Sequence, residues 1–514
     1  MKNSILCLMM VLWPGSAWSI EISLRPMGTY STGTFDGASA QIVDYHPLFK
    51  WLVITNRAHE AIDVVKIHPA SKPQLLFKIA LPGKPLSVAA HRRYGMIAVS
   101  LEGQSVTDPG TVGFYMVTGQ HLGSVQVGPL PDMITWTPDG RKLLVANEGE
   151  PSGDYTIDPP GSISIITLGA GSQLVKMVAE AAVETVGFDY VAIDPSVRIF
   201  GPGATAEMDL EPEYITVSED SRTAWVTLQE NNAVARLDID TATFSWVRGL
   251  GYKDHRLLRN RLDASDKDNA ITITAWPVYG MYLPDAVAAF SIGGEQYLIT
   301  ANEGDSRAYD SFTEEARVKE LKLDMDAFAG WPDLAKHANL GRLKVTNTMG
   351  DIDNDGDYDE LYCFGGRSLT IWTSEGTFVA DSGDQFEQIT AARHPMYFNS
   401  TDDETAFDSR SDDKGPEPEH VVVGRIGEST VAFIGLERTG GIMVYDVSDA
   451  ASPRFLDYFN NRNFEVGPTT VEAGDLSTEG LLFVPAKDSP TRTPLLVAAN
   501  EISGTTTIFE VQVR

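Results

Sequence analysis

A hairpin-like unit that returns along the whole chain limits what this sequence can fold into more than any other feature. Its clearest copy, residues 130–150, reads LPDMITWTPDGRKLLVANEGE. Pro131-Asp132 starts an apolar run, Pro138-Asp139-Gly140 turns the chain, and a second run ends in Asn147-Glu148. Short apolar runs bounded by Pro, Gly and Asp are the mark of paired strands. Further copies lie at 211–231, 283–304, 416–437 and 478–501, with fainter ones at 40–56 and 85–102. The plain repeats are about 46 residues apart, the spacing of propeller blades or arrays.

A third strand is expected after most copies, over 61–67, 111–117, 162–168, 233–239, 441–447 and 505–511, and a fourth over 74–81 and 122–127. Four strands in each of seven units predict an all-β fold, a seven-bladed β-propeller. The last unit stops after its third strand, and the chain opens with an orphan strand over 22–30. That strand is expected to complete the last blade, which removes two open edges at once. Uneven spacing marks long insertions near 175–208, 249–282 and 304–415, lengths typical of lids and binding loops. Helical periodicity is scarce, and 324–337 is the one expected helix.

Residues 1–19 carry Lys2, an apolar core over 5–13, Pro14-Gly15 and Ala17-Trp18-Ser19, the pattern of a cleaved signal peptide. The remainder, 20–514, is expected to form a single domain. No later stretch is apolar for long enough to span a bilayer. The expectation is an exported protein, periplasmic or secreted, with no transmembrane segment in the mature chain. Cys7 leaves with the leader, so Cys363 has no partner for a disulfide within the chain.

The formal charge is −31, from 71 acidic and 40 basic residues, which argues against nucleic acid as a partner. Most of this charge reads as a solvated surface, but part of it is placed with the repeat. First strands start at Gln41, Asp132, Glu213, Asp285, Glu419 and Glu479; second strands end at Glu102, Glu148, Glu230, Glu303, Glu437 and Glu501. In a blade the first strand runs along the channel and the second returns, so both positions share one face. Asp132, Glu148, Glu213, Glu230, Asp285, Glu303, Glu419, Glu437, Glu479 and Glu501 are therefore a candidate acidic ring at the channel mouth. Crowded carboxylates raise one another's pKa or recruit cations. A Glu at a strand end can also simply accept backbone N–H groups.

The sharpest single motif is GDIDNDGDYDELYC at 350–363. Asp351, Asp353, Asp355, Asp357 and Asp359 supply oxygen at alternate positions, and Gly356 permits the tight turn of a Ca²⁺ loop. Tyr362 stands where an EF-hand has Glu, so a shorter loop between two strands is expected, with Ca²⁺ the favoured ion and other divalent metals possible. A third cluster, 400–419, mixes acids with Arg410 and Lys414, and Arg307 and Arg438 follow strand-end acids. These four are candidate anion-binding residues if the site takes a phosphate; the alternative is that they are salt-bridge partners. His420, beside Glu419, is the one histidine placed near the ring. There is no zincin, nucleophile-elbow or P-loop motif, and no catalytic residue can be named.

The segments LPDMITWTPDGRKLLVANEGEPSGDYTIDPPGSISII, DLEPEYITVSEDSRTAWVTLQENNAVARLDI, LPDAVAAFSIGGEQYLITANEGDSRAY, GDIDNDGDYDELYCFGGRSLTIW and SRSDDKGPEPEHV resemble the bacterial choice-of-anchor I proteins. That family is similar to the mesenchyme-specific cell-surface glycoproteins of biomineralising animal cells. The resemblance covers nearly all of 22–511. It implies a secreted or surface-held propeller-like domain associated with calcium, and some members carry the label alkaline phosphatase. The chain departs from the family in ending at Arg514 without an anchor segment, and in Gln41 where relatives tend to have an acid. The expected function is an exported calcium-binding propeller that presents an acidic, metal-loaded face to an extracytoplasmic ligand: a small molecule, phosphate ester or surface ligand. The alternative is a Ca²⁺-dependent phosphoester hydrolase of alkaline phosphatase or phytase type.

Overall fold

The second strand of each unit is apolar at consecutive positions because both of its faces are covered. In Lys142–Asn147, Leu143 and Val145 face one apolar cluster while Leu144 and Ala146 face another. Alternate side chains of a strand point to opposite faces, so a sheet packed on both sides shows a continuous apolar run. The computed structural model describes residues 21–513; the leader expected over 1–19 lies outside them.

Among the described residues, seven sheets have four antiparallel strands each. The first is Val43–His46, Trp51–Asn56, Ala61–Lys66 and Gln74–Ala80; the second runs from Pro85–Ala90 to His121–Pro129, and the third from Pro131–Trp136 to Ala182–Val186. The fourth spans Ile215–Val217 to Thr243–Gly249. The fifth joins Val287–Ile292 and Glu295–Asn302 to Ser368–Thr373 and Phe378–Asp381. The sixth runs from Pro418–Ile426 to Arg454–Phe459. In the seventh, Ile22–Ser31 lies antiparallel beside Thr505–Val513, pairing Ile22 with Val513 and Ser31 with Thr505.

Each sheet packs on the next through one apolar cluster. Val53, Ile62 and Val64 meet Val88 and Val99; Phe290 and Ile371 meet Val421 and Ile434. The seventh sheet meets the first in the same way, with Tyr30, Val497 and Ile508 against Val43, Leu52 and Ile54.

The insertions are more structured than loops. Ala182–Val186, within 175–208, is the fourth strand of its sheet. The stretch 304–415 is not one insertion, since it contains the third and fourth strands of the fifth sheet. An additional five-stranded sheet is built from Tyr252–Asp254, Tyr279–Met281, Tyr362–Cys363, Lys344–Thr346 and Glu315–Arg317, over its own core of Leu262, Val278, Leu340 and Leu361. The helix expected over 324–337 is corrected to a series of turns. Gly330 and Pro332 sit inside it, and a proline in a helix interior removes a hydrogen bond and clashes with the preceding turn. The longest helix among the described residues, Gln385–Arg393, was not expected, because it buries only Phe386, Glu387 and Thr390 and has no apolar stripe. Cys363 is buried as a free thiol. No helix among the described residues is long and apolar enough to cross a membrane.

Candidate functional site

The start of the first strand is irregular in several sheets. Pairing shifts register between Pro131 and Ile134, between Pro418 and Val421, and between Thr478 and Gly480. The residue two before the acid has positive φ in four cases: Leu130 (45°), Leu283 (42°), Glu417 (50°) and Ser477 (60°). Left-handed backbone is costly for a side chain with a Cβ, and a bulge turns a side chain away from its regular direction. Both features precede or flank Asp132, Glu419 and Glu479, and the left-handed residue alone precedes Asp285; all four acids face a common space. At the other strand end, Asn147 and Asn302 bind neighbouring hydroxyls of their own sheets (Ser164 at 3.0 Å, Thr370 at 2.7 Å). The asparagine is thus structural, and the Glu that follows it is left for the cavity.

That space is a cavity of about 290 Å³ lined by Asp132, Glu148, Glu213, Asp285, Glu303, Glu419, Glu437, Glu479 and Glu501, with Gln41, Lys414 and Arg438. Glu230 stands outside this lining, and one of its carboxylate oxygens is buried without a partner. Glu102 also stands outside it, drawn 3.4 Å from Arg57, which follows Asn56 where other units have Glu. Gln41 donates to Glu479 Oε1 at 3.5 Å.

Burial pushes these acids upward and their neighbours add to it. Burial holds Asp132 at about 6 against the opposing pull of Arg57. Glu479 is raised to about 8, by burial and then by Glu501. Glu148, Glu213, Asp285, Glu419 and Glu437 are all well above the carboxylate range, with burial the first cause of each. Glu230, at about 7, is held up by burial against Arg307.

The cavity is compensated on one side only. Lys414 Nζ lies 2.5 Å from Glu303 Oε1, 3.2 Å from Glu417 Oε2 and 3.5 Å from Asp305. Arg410 sits 2.5 Å from Glu417 Oε1, and Arg438 pairs with Glu417 (3.2 Å), Glu437 (3.1 Å) and Asp402 (2.9 Å). Burial opposes it, but Lys414, Arg410 and Arg438 together hold Glu417 down at about 2. Arg307 is turned away from the cavity, between Asp209 and Glu211. All four candidate anion-binding residues therefore carry carboxylate partners. By contrast, Asp132, Glu148, Glu213, Asp285, Glu419 and Glu501 make no side-chain hydrogen bond or ion pair among the described residues. One carboxylate oxygen each of Asp132, Glu148 and Glu213 fall within 4.8 Å of one another, and so do those of Glu303, Glu417 and Glu437.

Breaking a buried pair by removing one partner costs about 3–5 kcal/mol. Lys414→Met should therefore destabilise the protein by that order, with a larger loss at pH 8 than at pH 5, where the freed acids can take protons instead. Urea unfolding at the two pH values measures it; equal losses would mean that Lys414 is not compensating charge.

Tyr214 also lines the cavity, and its hydroxyl lies 3.1 Å from His420 Nε2. Burial lowers His420 to about 4, so it is a neutral imidazole. A second cavity of about 270 Å³ is lined by Tyr45, His91, Trp136 and Phe483 and shares Tyr214 and His420 with the first.

Away from the cavity, the loop between Lys344–Thr346 and Tyr362–Cys363 splits its five aspartates. Asp351, Asp353 and Asp355 bring oxygens within 4.8 Å, while Asp357 and Asp359 do so with Asp324. Asp351 accepts from the Gly356 N–H at 3.0 Å, and Gly356 has φ of 93°, which its missing Cβ permits. Lys322 pairs with Asp357 at 2.9 Å. Asp324 and Asp305 were not singled out by spacing, and the fold alone brings them in; Glu417 belongs to the acidic cluster expected over 400–419, and the fold makes it the partner of Lys414, Arg410 and Arg438.

These features define an all-β, propeller-like protein with a cavity of buried and half-buried carboxylates. The chain belongs to the choice-of-anchor I domain family, whose model matches residues 41–450. It is 33% identical over 196 residues to Gigasin-3a of Magallana gigas, a match covering 35% of this chain and 68% of that protein. It is 27% identical over 299 residues to a mesenchyme-specific cell surface glycoprotein of Strongylocentrotus purpuratus; that match covers 50% of this chain and 37% of the relative's length. Among solved structures, Kuenenia stuttgartiensis hydrazine synthase superposes with a TM-score of 0.50 at 13% identity, covering 94% of this chain and 100% of that one. This last likeness concerns the fold alone.

Proposed function

We propose that this protein is a closed seven-bladed β-propeller of the cell surface or extracellular space whose channel mouth binds divalent cations, Ca²⁺ above all, and through them an extracytoplasmic ligand. The observation that carries the reading is the set of six unpartnered carboxylates around one cavity. A buried charge is tolerated when paired, protonated or bound to a metal, and their oxygen-only chemistry suits Ca²⁺. Seven apolar clusters that join successive sheets, the last to the first, support closure. Family membership and the name of the sea-urchin relative support the location. A second Ca²⁺ is assigned to Asp351, Asp353 and Asp355, with Asp357 and Asp359 supporting the loop.

Calorimetry and metal analysis on chelator-treated protein should find more than one Ca²⁺ per chain. Asp353→Ala with Asp355→Ala should remove the loop's share and leave the rest. Wild-type stoichiometry in that variant would reject the loop assignment, and no Ca²⁺ uptake at all would reject the reading as a whole. The phosphoester hydrolase has less support, since Arg307, Arg410, Lys414 and Arg438 are all engaged by carboxylates. EDTA-sensitive turnover of an aryl phosphate or phytate would nevertheless replace the binding module with the enzyme.

A further inference from the structure

A separate group of buried acids lies where two inserted segments meet the helix Gln385–Arg393. Asp263 is 0% exposed, and Glu387 and Asp408 are each 1% exposed. One guanidinium, that of Arg367, pairs with Glu387. Arg367 Nη1 donates to Glu387 Oε1 and to the Asp263 carbonyl, both at 2.7 Å; Nη2 goes to the carbonyls of Ser411 (2.9 Å) and Asp413 (2.7 Å). Glu387 is then saturated, because Oε1 also accepts from Asn399 Nδ2 at 2.9 Å and Oε2 accepts from the Asp263 N–H at 3.1 Å. Asp263 receives backbone N–H groups from Ser265 and Thr272. Arg367 thus pairs with Glu387 alone, and the Asp263 and Asp408 carboxylates have no ion-pair partner among the described residues.

The hydrogen bonds beyond Glu387 run in one direction. A carboxylate can only accept, so its contact identifies the nitrogen end of the Asn399 amide. That nitrogen also donates to Ser411 Oγ at 2.9 Å, and the Ser411 hydroxyl donates to Asp408 Oδ1. Two acceptor oxygens remain with nothing to accept from: Asp408 Oδ2 and Asn399 Oδ1, both buried without a partner. Asn399 is 0% exposed, so bulk water does not serve it. An anionic and an amide oxygen, tied together through one serine, lack a positive partner.

We propose that Asp408 Oδ2 and Asn399 Oδ1 are ligands of a buried Ca²⁺, with Asp263 supplying further negative charge, and that this ion fastens the inserted segments to the helix. The donors are hard oxygens of mixed type, the set that Ca²⁺ accepts in flexible geometry and that zinc or copper does not select. The electrostatics point the same way: burial and then Asp263 push Asp408 up to about 8, and burial and then Glu387 push Asp263 up to about 7. This site is independent of the channel mouth and uses different residues, so either assignment can fail alone.

The test is metal analysis of full-length protein after chelation and reloading with Ca²⁺. Asp408→Asn keeps an acceptor for Ser411 and removes the charge; it should bind one Ca²⁺ fewer than wild type. Asp132→Asn with Glu213→Gln, and Asp353→Ala with Asp355→Ala, should both retain this equivalent. Ca²⁺ should also slow proteolysis within 398–412 in wild type and not in Asp408→Asn. Wild-type stoichiometry in Asp408→Asn would overturn the proposal. So would a variant more stable than wild type with an unaltered Ca²⁺ response, the behaviour of a carboxyl that is simply protonated. Should Asp408→Asn not fold, wild-type crystals soaked in Tb³⁺ decide: an anomalous peak at Asp408 Oδ2 supports the site, and a water or a direct Asp408–Asn399 hydrogen bond there refutes it.

Discussion

Replacing Asp132 with Asn and Glu213 with Gln is expected to abolish the channel mouth's share of Ca²⁺ binding and to make the Ca²⁺-free protein more stable than wild type. Both effects have one cause. These residues share with Glu148 a space 4.8 Å across and have no ion-pair partner, Arg57 easing Asp132 only in part, so without metal they are held together against their own repulsion. Isosteric amides remove the charge and keep the volume. Calorimetry should show the missing binding, and thermal unfolding in EDTA should show the gain; retained binding would sink the site, and lower stability in EDTA would show that the acids support the fold. The pH dependence follows with a definite sign. Asp132 at about 6, Glu230 at about 7 and Glu479 at about 8 all lie above their ordinary values. A carboxyl with a raised folded-state pKa contributes stability that is complete below its unfolded value and fades as pH climbs through the folded one. Metal-free protein should therefore lose stability between about pH 4 and pH 8. Saturating Ca²⁺ should flatten that slope, adding about 2.7 kcal/mol at a hundredfold excess over its Kd.

Much of this arrangement could be read from the order of residues, because a strand's direction converts position into place. Asp132 at a strand start and Glu148 at the end of the returning strand meet at one cavity because that direction brings them to the same face. Glu102 also ends a second strand, but Arg57 replaces the acid in the neighbouring unit and pairs with Glu102 outside the cavity. What could not be read depended on contacts between distant segments. Ser368–Thr373 pairs with Glu295–Asn302 across a long excursion, so no spacing announces it. Glu417 gathers Lys414, Arg410 and Arg438 only because its left-handed backbone turns the chain before Pro418. In the Asp351 loop composition was legible, but the division of its aspartates, with Asp324 joining Asp357 and Asp359, comes from a turn that sequence presented as a helix.

A chain that begins at Thr32, and so lacks Ile22–Ser31, is expected to be strongly destabilised and to self-associate. The strand holds the free edge of Thr505–Val513, buries Ile22 and Leu24 against the sixth sheet and Tyr30 against the first, and ties to the first sheet through Tyr30 Oη, 2.6 Å from Asp63. Burying each such side chain is worth roughly 1.5–3 kcal/mol, so three of them approach the total stability of a typical domain, about 5–15 kcal/mol. The deletion also uncovers an unpaired strand edge, a template for pairing with other chains. Light scattering on the shortened protein should show dimers or larger species, with a melting transition that is lowered and broadened. A synthetic peptide of residues 21–32 should restore a sharp transition by adding a strand in trans, and Ile22→Lys with Leu24→Lys in that peptide should not. If the shortened chain stays monomeric with an unchanged melting temperature, the proposed closure through this strand is wrong, and the first and last sheets are held together by their side chains alone.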